Sequence, residues 1–70
     1  QSVPFTLVLD NGMTLQMTAS VTADGVLVVS APDAGGNIDV QQAILIGVQV
    51  VRQALNVELS NLSSALFVRN

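Results

Sequence analysis

The sequence predicts an α+β domain: a three-stranded antiparallel β-meander packed against one long amphipathic helix, with a short C-terminal helix or strand. Three observations predict it. Apolar and polar residues alternate over three stretches before Pro32, the period of two that marks half-buried strands. Each stretch gives way to the next at a glycine-containing turn. Beyond Pro32 the apolar spacing changes to that of a helix. The 70 residues make a single small domain, 1–70, with strands at about 3–9, 13–21 and 26–31, a helix at about 39–55 and a closing element at about 60–68.

In the first strand Val3, Phe5, Leu7 and Leu9 point one way and Pro4, Thr6, Val8 and Asp10 the other. In the second, Met13, Leu15, Met17, Ala19 and Val21 oppose Thr14, Gln16, Thr18 and Ser20. The third sets Leu27, Val29 and Ala31 against Val26, Val28 and Ser30.

Burial decides the register. A two-residue turn at Asn11-Gly12 would pair Leu9 with Thr14 and Leu7 with Gln16, mixing apolar and polar on every face. A type I turn over Leu9 to Gly12, with Gly12 left-handed as a bulge, instead pairs Leu9 with Met13, Leu7 with Leu15 and Phe5 with Met17. A one-residue slip moves a whole apolar set to the wrong face, so the second register is expected. Thr22 to Gly25 repeats the device and pairs Val21 with Leu27 and Ala19 with Val29.

Pro32 ends the third strand, and Asp33 to Asn37 reads as a loop. Asp39 caps the helix, with Gln42 three residues on in a capping-box pattern. Val40, Ala43, Ile44, Gly47, Val48, Val50, Val51, Ala54 and Leu55 fall within an arc of about 160° that should lie on the sheet. Leu45 and Ile46 fall in or beside a polar surface formed by Gln41, Gln42, Gln49, Arg52 and Gln53. Asn56 suits a left-handed cap. Beyond it, Leu59, Leu62 and Leu66 have helical spacing, which favours a short helix near residues 60–66, while Ala65 to Val68 also suits a strand.

Composition narrows the function. Half the residues are apolar, only 10% are charged, and the chain has no His, Cys, Lys, Tyr or Trp. No side chain titrates near neutral pH, no serine has a base to activate it, and soft metal ligands are missing. A net charge of −3 with two arginines argues against nucleic acid, and two phenylalanines make no stacking platform. No apolar run approaches the roughly 20 residues of a membrane-spanning helix.

Each aspartate has a structural explanation. Asp10 and Asp24 fall in turns at opposite ends of the central strand, Asp33 in the loop and Asp39 at the cap. Asp33 and Asp39 together make at best a weak site for a hard cation. The glycines before the helix resemble a phosphate cradle only superficially, since no P-loop lysine follows and Asp33 and Asp39 repel anions. Asn61, Leu62 and Ser63 match the short N-glycosylation triplet, a pattern that arises often by chance. No catalytic residue, metal site or cofactor is expected.

A 70-residue domain without disulfides or metal has a thin stability margin, which oligomerisation or docking relieves. The expected function is therefore a non-enzymatic structural or interaction module, a protomer of a homo-oligomer or larger assembly. By analogy with other small, charge-poor protomers, a phage, secretion or similar particle is the setting. The alternative is a small binding domain holding an apolar ligand between helix and sheet, against Met13, Met17, Val48 and Val51. A start at Gln1 rather than Met suits an exported or virion-associated protein. The candidate interface consists of Leu45, Ile46 and Gln49 on the helix, and Val8, Thr14, Val26 and Val28 on the outer face of the sheet. Both edge strands of the meander lack Lys and Glu, so edge pairing or stacking between subunits is expected there.

Overall fold

The computed structural model describes residues 1–32 and 38–69, apart from the side chain of Arg69. Strands β1 (Ser2–Val8), β2 (Thr14–Val21) and β3 (Val26–Ala31) are followed by helix α1 (Val40–Leu55), a 3-10 turn (Leu59–Asn61) and strand β4 (Ser64–Arg69). The sheet order is β1-β2-β3-β4, with α1 across one side. The expected loop from Asp33 to Asn37 lies outside the described residues.

Both hairpins adopt the register that burial demands. Phe5 lies opposite Met17 and Leu7 opposite Leu15, while Ala19 pairs with Val29 and Val21 with Leu27. The two turns are built alike. The Gly12 N–H donates to the Leu9 carbonyl at 2.9 Å, and the Gly25 N–H to the Thr22 carbonyl at 3.0 Å. Both glycines have positive φ, +85° and +84°, a conformation costly to any residue with a Cβ.

The C-terminal segment departs from expectation in two ways. The helix expected near residues 60–66 is reduced to the 3-10 turn, and Ser64–Arg69 forms a fourth strand, parallel to β3. The sheet is therefore mixed, with β3 inside it, and the edges are β1 and β4 rather than β1 and β3. The physical reason is that pairing with β4 gives the outward backbone groups of β3 their partners and moves the open edge to β4, and the run Ala65-Leu66-Phe67-Val68 suits a pleated surface. Helix α1 supplies the long crossover that a parallel pair needs. The entry into β4 is pinned to the second turn: the Ser63 N–H donates to the Gly25 carbonyl at 2.8 Å, and its hydroxyl to the Asp24 carbonyl at 3.1 Å.

Asp39 caps α1, accepting from the Gln42 backbone N–H at 3.2 Å, and Asn56 ends it in the left-handed conformation at φ 58°. The core lies between helix and sheet and consists of Leu7, Met17, Ala19, Leu27, Val29, Ala31, Ala43 and Val51. Ala43 and Gly47, the small pair one turn apart, are both buried against the chain's own sheet. A Cβ on Gly47 would come within 2.6 Å of Val29 Cγ2, so the helix backbone approaches the sheet there. Ala54, expected on the same stripe, is exposed; Val51 and Leu55 make the last-turn contacts with the core.

Candidate functional site

The helix covers one side of the sheet, and among the described residues no element covers the other. On the open side β1 and β2 present Thr6, Thr14, Gln16, Thr18 and Ser20, and the Thr6 hydroxyl donates to Gln16 Oε1 at 3.3 Å. Strands β3 and β4 present Val26, Val28, Leu66 and Val68. The pairing runs Ser20, Val28 and Leu66 into one row across the strands, and Thr18, Ser30 and Val68 into the next. Leu66 is 53% exposed and Val68 42%, beside half-buried Val26 and Val28. Among the described residues, no strand position on this side carries a charge.

The structure divides the expected interface residues between two surfaces. Val26 and Val28 sit on the inner strand β3, Val26 at its start, and Val8 and Thr14, paired across β1 and β2, sit at the far corner of the open face with Val8 65% exposed. Leu45 and Gln49 lie on α1, both exposed, whereas Ile46 is half-buried and packs against the core. Leu66 and Val68 belong to the open face but do not follow from a three-stranded sheet. The strand-like run Ala65 to Val68 is the signal that points to them.

Strand β4 is the least covered strand. Ser64, Ala65, Leu66 and Val68 are all exposed, on both sides of the sheet, and among its described side chains only Phe67 is half-buried. The two edges also differ in their backbone. Because the Leu9 N–H donates to the Met13 carbonyl at 2.8 Å, Leu9 aims its backbone at β2, and the period of two aims Leu7, Phe5 and Val3 the same way. Ser2, Pro4, Thr6 and Val8 turn theirs outward, so the missing N–H of Pro4 falls on the β1 edge. No proline interrupts β4.

The carboxylates stay apart or are occupied. Asp10 and Asp39 line an open cleft of about 240 Å³ with Leu7, Val8, Leu9, Asn11 and Gln42, where Asp39 already serves the helix cap. Among the described residues, no three His, Cys, Asp or Glu side chains gather in a way that could hold a metal ion. Asp33, the expected companion of Asp39, lies outside the described residues. Glu58 sits 3.7 Å from Arg52 Nε, an ion pair in which both side chains are well exposed and which contributes little. Of the four residues expected to line an apolar pocket, Met17 and Val51 belong to the core, Val48 is half-buried and Met13 is 63% exposed. Among the described residues no helix is long and apolar enough to cross a membrane. No family model, curated protein or solved structure matches the chain.

Proposed function

We propose that this chain is a non-enzymatic structural or interaction module, acting as a protomer of a homo-oligomer or larger assembly. The observation that carries the reading is the open side of the sheet, where exposed Leu66 and Val68 adjoin Val26 and Val28 among neutral neighbours. Depletion of charge, rather than apolarity as such, distinguishes the centre of a protein interface from ordinary surface. Full burial of a large aliphatic is worth about 1.5–3 kcal/mol, Leu66 and Val68 at 53% and 42% exposure forgo part of it, and a domain this small has little core to offset that loss.

The side chains able to do chemistry support the non-enzymatic part. Asp39 is engaged at the cap, Asp10 and Asp24 sit in turns at opposite ends of β2, and the Ser63 hydroxyl is committed to the Asp24 carbonyl. Sedimentation or light scattering from micromolar to submillimolar concentration tests the reading. The expected result is a mass that rises above the 7.3 kDa of one chain. A constant single-chain mass over that range would contradict it.

A further inference from the structure

We infer that the partner is a second copy of this chain, joined through antiparallel pairing of the two β4 strands, and that this pairing closes after two copies. The inference rests on the assembly reading above and adds a contact at the edge that borders the open face. Among the described residues no strand lies on the outer side of β4, so a row of backbone N–H and C=O groups faces outward, and what satisfies such a row is another strand. Guards are few. The strand carries no proline, no lysine and no acidic residue, its single charge is Arg69 at its last position, and four of its side chains are exposed.

The other edge explains why a second β4, and not β1, is the partner. Joining β4 of one copy to β1 of the next would be a head-to-tail contact, which generates filaments. Pro4 stands among the outward-facing residues of β1 and has no N–H to give, so that ladder is interrupted in mid-strand. Pairing β4 with itself uses the less guarded edge twice and leaves only the better guarded one outside.

Side-chain alternation then fixes the register, because residues placed opposite each other must share a face. Centring the pair on Phe67 sets Leu66 opposite Val68 on the open side and Phe67 opposite its own counterpart on the helix side. Centring it on Leu66 sets Ser64 opposite Val68 and is the poorer match. The product is an eight-stranded sheet with both helices on one side. The apolar strip of Val28, Leu66 and Val68 then runs continuously across the join.

Two measurements test this on the intact chain. Sedimentation compares the native sequence with Leu66→Lys plus Val68→Lys, at two exposed positions of β4, and with Leu45→Lys on the exposed side of α1, with far-UV circular dichroism reporting the fold. The β4 variant should raise the dissociation constant of a two-chain species at least about tenfold, and the helix variant should leave it unchanged. Amide exchange, read at low and high concentration of the native chain, is independent of any folding defect in the variants. Alternate amides of residues 64–69 should become protected as concentration rises, while the outward amides of β1 do not. Association that survives the β4 variant, without new protection in β4, would overturn this inference and leave the assembly reading standing. Open-ended growth into large species would overturn closure at two copies. A single-chain mass at every concentration would overturn both the inference and the reading it rests on.

Discussion

Adding one methyl group at Gly47 should destabilise the protein, although alanine is the better helix former. Gly47 is buried in the middle of α1, and a Cβ there would stand 2.6 Å from Val29 Cγ2 and 3.8 Å from Leu27 Cδ2. Val29 is fully buried and β-branched, so its methyl has no free rotamer to move into. Overpacking of this kind costs about 1–3 kcal/mol, against about 1 kcal/mol gained from replacing a mid-helix glycine. Gly47→Ala should therefore lower stability by about 1 kcal/mol, which for a domain of this size is a fall in Tm of about 4–8 °C. Val29→Ala removes the obstructing methyl. In that background the same Gly47→Ala change should stabilise by about 1 kcal/mol, a coupling of about 2 kcal/mol between the two sites. The chain has no Trp or Tyr, so urea titration is followed by circular dichroism, at one protein concentration because association shifts apparent stability. An effect of the same sign in both backgrounds would refute the close approach of helix to sheet.

Three further substitutions probe the turns and the cap. Gly12→Ala and Gly25→Ala impose the same left-handed backbone, but the first Cβ meets nothing within 4 Å and the second meets the Asn61 carbonyl oxygen at 2.8 Å. Gly12→Ala should cost about 1–2 kcal/mol. Gly25→Ala should cost more and speed amide exchange in β4; equal costs would show that β4 is not pinned to this turn. Asp39→Ala should cost about 1 kcal/mol in urea unfolding, by loss of the bond to the Gln42 N–H, and an unchanged midpoint would show that the cap contributes nothing.

The hairpins were legible because one physical demand governs them. The apolar set Phe5, Leu7 and Leu9 can meet Met13, Leu15 and Met17 on one face in only one register, and Gly12 and Gly25 permit the turns that deliver it. The helix was legible for similar reasons, from Asp39 at its start to Asn56 at its end. Strand β4 was not. Its run Ala65 to Val68 is too short for periodicity to separate strand from helix, and Leu59, Leu62 and Leu66 carry a helical spacing. What decides the matter is the outer edge of β3, nearly forty positions earlier in the chain, which local pattern cannot see.

The candidate surface was legible to the same extent. Val8, Thr14, Val26 and Val28 follow from alternation alone, whereas Leu66 and Val68 join them only once β4 is in place. Ile46 differs from Leu45 for a packing reason. It is half-buried against the core that Leu45 misses.

Whether this protein acts through the uncharged, β4 side of its sheet is decided by residue-resolved NMR shifts over a dilution series of the native chain. Concentration-dependent shifts should centre on Val26, Val28 and residues 64–69 and leave Leu45 and Gln49 unmoved. Shifts centred on the helix, or none at all up to submillimolar concentration, would rule that surface out.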